Sequence, residues 1–221
     1  MTDTVTFIGA RGGQGTSTVA AALALGLAND VPTTLATHDP TGMARLLGGQ
    51  PPTTDGPFVA APNLTVTGLG GPTDGLTVVD AGSIVAADDR LLLDGRCYGV
   101  VRGPCYLALA TLVPKQELRL DGIVLLAEPG RALSAADASM ILGLPVVATV
   151  PVRASTARLI DAGLLAGRPN EVSGLEHLRD AVLSARAVAT AGPTTRPRCA
   201  SLAFARTAAD HHPDCSWGHE L

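Results

Sequence analysis

Four glycines stand close together near the start of the chain, Gly9, Gly12, Gly13 and Gly15, within TFIGARGGQGTSTVAAALALGLA. Glycine has no Cβ to hold a neighbour away, so backbone N–H groups at such positions can converge on one point. An apolar strand pattern precedes the loop and a helical pattern follows it, with Val19, Leu23 and Leu27 recurring at helical spacing. A helix that starts where the loop ends adds unpaired amides and the positive end of its dipole. The combination favours a phosphate before any side chain takes part. Gly12, Gly13, Gln14, Gly15, Thr16, Ser17 and Thr18 are therefore the candidate ligand-binding residues.

The common phosphate-loop pattern G-x-x-x-x-G-K-[ST] fits Gly9 to Ser17 only loosely, because Thr16 holds the lysine position and the first glycine lies one residue early. The competing reading is a tight strand-to-helix turn that binds nothing. Two carboxylates extend the pattern: Asp39 follows the apolar TTLAT, and Asp80 closes the apolar LTVVD. Asp39 could instead open a turn with Pro40, and Asp80 could cap a helix starting near Ser83. Together, at the ends of successive strands, they occupy the edge where open α/β sheets bind ligands.

The elements that must position these residues alternate along the chain. TVTFIG reads as a strand, Thr16 to Ala28 as a helix, TTLAT as a short strand and TGMARLLG as a short helix. GGQPPTTDGPFVAAPN is rich in Pro and Gly and lacks period, so it reads as a surface connection. LTVTGL and LTVVDAG follow as strands, then a helix near Ser83 to Leu93, the strand YGVVR and a helix over CYLALATLV. GIVLLAEPG is a buried strand, and SAADASMILG, PVVATVP and STARLIDAGLLAG supply helix, strand and helix. In SGLEHLRDAVLSARAVA, Leu175, Leu178 and Val182 share one helical face. The expectation is an α/β three-layer sandwich around a mostly parallel, doubly wound sheet of about seven strands. Residues 1–190 form one domain, and 191–221 a flexible tail with a short helix at SLAFARTAA.

Composition narrows the function. The chain has 221 residues, 46% apolar but 3% aromatic, which suits closely packed layers of small aliphatic side chains. Of sixteen basic residues only Lys115 is a lysine, so arginine in a lysine's place follows the composition, whereas threonine there does not. With a net charge of -4 and no basic cluster, extensive nucleic-acid binding is not signalled. No run reaches the roughly 20 apolar residues of a membrane span, and MTDTVTF lacks a charged leader, which points to a cytoplasmic protein. Cys97, Cys105, Cys199 and Cys215 form no CxxC pair, and with His211, His212 and His219 they match no zinc spacing.

RGGQGTS resembles the deviant Walker A loop, KGGxGKT, of the MinD/ParA ATPases. The likeness runs over residues 4–168: THDPTGMARLLG is similar to that family's DxDPxG segment, TVVDAG to its Walker B strand, and LLAEPGRALSAAD to a later strand-to-helix loop. The resemblance implies ATP or ADP with magnesium. It puts Arg11 in place of the lysine that reaches across a nucleotide-sandwich homodimer, Ser17 at the magnesium, and Asp80 beside the magnesium through water. It makes Asp39 the acid that positions the attacking water, with Thr37 in place of the first acid, and places Arg153 in the segment that lines the base. Loss of the lysine's point charge at Thr16 typically costs on the order of 3 kcal/mol, about a hundredfold in rate. The resemblance thus implies a positioning or partitioning switch, dimeric, with slow or absent hydrolysis and an unidentified protein partner.

Two other readings use the same residues. A non-enzymatic partner protein would keep the fold without turnover. A short-chain dehydrogenase would use the G-x-x-x-G-x-G spacing of Gly9, Gly13 and Gly15 to bind NAD(P), with Asp39 on the ribose. The Tyr-x-x-x-Lys of such enzymes is missing, since Tyr98 is followed by Arg102 and Tyr106 by Ala110. SLAFARTAADHHPDCSWGHEL has too small an apolar face for a membrane-surface helix.

Overall fold

Side-chain alternation along β1 (Thr4–Gly9) sends Val5 and Phe7 into one apolar layer and Ile8 into the other, so this strand is covered on both faces. The same alternation recurs in β5 (Leu76–Ser83), β6 (Arg96–Gly103) and β7 (Gly122–Ala127). The computed structural model describes residues 4–50, 56–83, 95–113 and 119–190. The expected helix near Ser83 to Leu93 and the whole of 191–221 lie outside the described residues, apart from Ser83, which ends β5.

The sheet has eight strands in the order β3-β4-β2-β5-β1-β6-β7-β8, and every pair is parallel except β3 with β4. On one face lie α1 (Thr16–Ala28), α2 (Pro40–Leu47), α5 (Ala154–Asp161) and α6 (Glu176–Thr190), whose Leu23, Met43, Leu159 and Leu178 enter one core. On the other lie α3 (Tyr106–Leu112) and α4 (Ala135–Leu142), through Leu109 and Ala138. The three-layer expectation holds. Leu175, Leu178 and Val182 are buried as the helical spacing required.

The strand count rises to eight because Phe58–Ala61, read as part of a connection, forms β3. It pairs antiparallel with β4 (Leu64–Gly68), and the chain reverses at Asn63 with φ 58. An edge strand needs only one partner and a half-exposed face, so its residues carry little periodic signal amid Pro and Gly.

Sheet order bears on the dehydrogenase reading. In a dinucleotide-binding sheet the second strand lies beside the first. Here β5 stands between β1 and β2 (Thr33–Thr37), and Asp39 is displaced by one strand from the glycine loop. From β1 the chain runs left to β2, and from β5 it crosses β1 to run right through β6, β7 and β8, so the strand order reverses around β1 and the strand ends there form the crevice where such sheets take ligands.

Phe7 is fully buried at this central strand and packs against Tyr98 with ring centroids 6.0 Å apart. Phe7→Ala is expected to lower unfolding free energy by about 3 to 5 kcal/mol, measured by urea denaturation.

Candidate functional site

Residues 10–15 connect β1 to α1, and the backbone turns left-handed at Gly13 (φ 76) and Gly15 (φ 82). Such angles are nearly free only for glycine. Gly15 is the N-cap of α1, with no side-chain cap and no acidic residue in the first turn, so the leading amides and the helix dipole are left for an outside anion. A Cβ on Gly12 or Gly13 would meet nothing within 4 Å, so this side of the loop is open. A Cβ on Gly15 would lie 2.7 Å from Leu126 Cδ2, which closes the loop's other side. Gln14 Oε1 accepts the Arg102 backbone N–H at 2.9 Å and fastens the loop to the end of β6.

Thr16 does not extend outward as a loop lysine would. It is 6% exposed, and its hydroxyl packs under Gly9, where a Cβ would collide with it. Ser17 is exposed and Thr18 half-buried at the head of α1.

The acid side follows from strand parity. Leu76 and Val78 face the α1 layer, so Asp80 at the end of the same row faces it too, and so does Thr37 beyond Leu35. Asp80 and Thr37 are directly paired across β5 and β2. Asp80 is 3% exposed and accepts from the Thr37 hydroxyl at 3.2 Å and from the Gly82 N–H at 3.1 Å. It lies inside β5, and the helix it could cap lies outside the described residues. The Thr37 oxygen also accepts the Asp39 N–H at 3.3 Å. Asp39 caps α2, its Oδ1 accepting the Gly42 N–H at 2.7 Å, so the turn-forming reading of this residue describes its contacts here.

The basic side lies beyond β6. Val100 faces the α1 layer, and Arg102 continues its row. Arg102 Nε donates to Glu128 Oε1 at 2.6 Å, and Arg131 Nε donates to Glu128 Oε2 at 2.8 Å. Hydrogen bonds from Arg131 first, then Arg102, hold the Glu128 carboxyl below its usual pKa. Arg102 also lines a cavity of about 220 Å³ with Gly15, Thr18, Leu126, Arg153 and Thr156. Arg153 is thereby brought to the loop. Arg11 is exposed on the loop. The Cys105 thiol is held below its usual pKa first by the Ala108 amide, then by the Leu107 amide, with the charges of Arg131 and Arg11 adding less. Burial, with Asp121 nearby, pushes Cys97 up to about 12.

The link from Gln14 to Arg102, the shared Glu128 and the Thr37 bridge were not foreseen from the sequence. Glu128 and Arg131, three residues apart, were the only local signal. Among the described residues no three His, Cys, Asp or Glu side chains group as a metal site, and no helix is long and apolar enough to cross a membrane. The tail residues Cys199, His211, His212, Cys215 and His219 lie outside the described residues.

No family model and no curated protein sequence matches this chain. Solved structures do. The septum site-determining protein MinD of Pyrococcus horikoshii, complexed with Mg-ADP, superposes with a TM-score of 0.66 at 16% identity, over 88% of this chain and 100% of that one. The cell division ATPase MinD of Pyrococcus furiosus gives 0.64 at 16%, over 85% and 100%. A ParA family ATPase of Chlorobium tepidum gives 0.60 at 15%, over 83% and 98%. The chain has the fold of the MinD and ParA ATPases.

Two outcomes check this geometry. Thr37→Val removes the hydroxyl that serves Asp80 and Asp39, and is expected to cost about 1 to 3 kcal/mol in denaturant unfolding. Because only the thiolate reacts, alkylation of Cys105 should rise with pH to a midpoint below the ordinary 9.0, and Arg131→Ala should shift that midpoint upward. The Cys105 midpoints are read by iodoacetamide labelling and peptide mass spectrometry.

Proposed function

We propose that this chain is a nucleotide-binding protein of the MinD/ParA type whose glycine loop holds the phosphates of ATP or ADP and whose hydrolysis is slow or absent. The observation that carries this is the open amide cradle at the uncapped start of α1, with the buried Asp80 carboxylate on the same face. The residues present fit a nucleoside polyphosphate: amides for phosphate oxygens, the Ser17 hydroxyl and Asp80 for a magnesium ion with its waters, and a cavity for the base beside Thr18 and Arg153. The bound nucleotide would bring the transferable phosphoryl group and its metal.

The chain's own residues set the rate. Thr37 bonds the Asp80 carboxylate, and Asp39, which caps α2, would be the acid that orients a water. Thr16 is packed under Gly9 and offers no cation, so charge developing on the phosphoryl oxygens lacks one stabilising contact. Arg11 is exposed on the loop, where in a homodimer it would face the phosphates of the second copy. On this reading the protein is a cytoplasmic switch in positioning or partitioning, working through a protein partner. The inward Thr16 also favours a second reading, a partner protein with the fold and no turnover.

Titration with ATP, ADP and NAD(H) in the presence of magnesium, followed by assays of phosphate release and light scattering, separates these readings. ATP and ADP are expected to bind, with slow or no phosphate release and a shift to dimer under ATP. Gly15→Val should abolish binding, since its side chain meets Leu126 in a left-handed backbone, and Asp80→Asn should remove the magnesium dependence. NAD(H) binding without ATP binding would overturn the proposal. Binding of ATP with no release and no dimer would select the partner-protein reading.

A further inference from the structure

We infer that Arg102, at the end of β6, supplies the positive charge to the bound phosphates that Thr16 does not supply. The inference rests on the reading that the glycine loop holds a nucleoside polyphosphate.

Position comes first. Tyr98 and Val100 face the α1 layer, so strand alternation puts Arg102 on the face where α1 begins. β1 lies between β5 and β6, so Asp80 flanks the glycine loop on one side and Arg102 on the other. A loop lysine would approach from the helix; this guanidinium approaches from the adjacent strand end. Its backbone N–H is bonded to Gln14, which holds β6 against the loop whatever the side chain does. Arg102 lines the same cavity as Gly15 and Thr18, so strand end, loop and helix start share one open space.

Availability comes second. Arg102 is tied to Glu128, but Glu128 also takes both Nε and Nη2 of Arg131. If Arg102 turns to a phosphate, the carboxylate keeps one complete guanidinium partner. Arg102 is also 47% exposed at its side chain, so it is not locked by packing. The planar fork suits phosphate oxygens, and a charge-assisted bond of this type is among the stronger polar contacts. The network thus works as an exchange: Glu128 holds Arg102 beside the loop until a more highly charged anion takes it.

The experiment is a calorimetric titration of the full chain with adenosine, AMP, ADP and ATP in magnesium buffer, for wild type and for Arg102→Ala, Arg102→Lys and Glu128→Gln. Arg102→Ala is expected to weaken ATP and ADP about tenfold or more, with the loss growing with phosphate number and adenosine unaffected. Arg102→Lys should recover most of the affinity, and Glu128→Gln should tighten ATP severalfold by freeing the guanidinium. Thermal unfolding of the variants should match wild type, because the Gln14 bond uses the Arg102 backbone. Arg102→Ala protein that binds ATP as tightly as wild type would overturn the inference and leave the nucleotide reading intact. Equal weakening for all ligands including adenosine would overturn it as well, assigning Arg102 to the base. Wild-type protein that takes up no nucleotide would overturn the nucleotide reading and this inference with it.

Discussion

The left-handed backbone at Gly15, shut on one side by Leu126, decides where the rest of the site stands. It ends the loop and begins α1 in one residue, so the first amides of the helix open onto the crevice. Because Leu126 belongs to β7 and Gln14 is bonded to β6, the loop is held against strands distant in sequence. The direction of these amides is thus set by glycine backbone and by the Gln14 and Leu126 contacts, none of which involves the Thr16 side chain.

Charge is then distributed by strand parity. Three parallel strands present a residue near their ends to the α1 layer: Thr37 from β2, Asp80 from β5, Arg102 from β6. The carboxylate is buried and hydrogen-bonded, while the arginines lie toward the exposed side with Glu128 between two of them. Burial keeps Asp80 from being screened or displaced, whereas the exposed ion pairs are individually weak and exchange readily. One side of the crevice is therefore rigid and anionic, and the other adaptable and cationic.

Much of this frame was legible in the residues. The span Thr16–Ala28 and the strand Thr33–Thr37 were read with the boundaries they have, since long apolar periodicity and a glycine-to-helix transition are local signals. The pairing of Asp39 and Asp80 with the loop at one sheet edge was also legible, because parallel βα units place strand ends together. The strand at Phe58–Ala61 was not, since pairing with β4 supplies what its own composition does not. Thr37 stands where the resembling motif has its first acid, and the structure adds that its hydroxyl bridges Asp80 and the Asp39 amide.

The sequence by itself determined the strand, glycine-rich loop and helix of residues 4–28, the α/β class and the threonine at position 16, all of which depend on residue type and near spacing. Tertiary structure alone decided that Thr16 turns inward beneath Gly9, that Gln14 reaches β6, and that Arg102 and Glu128 arrive beside the loop. Those contacts join residues up to 88 positions apart. No local pattern encodes them, because they are set by which strands become neighbours and by which face each strand end presents.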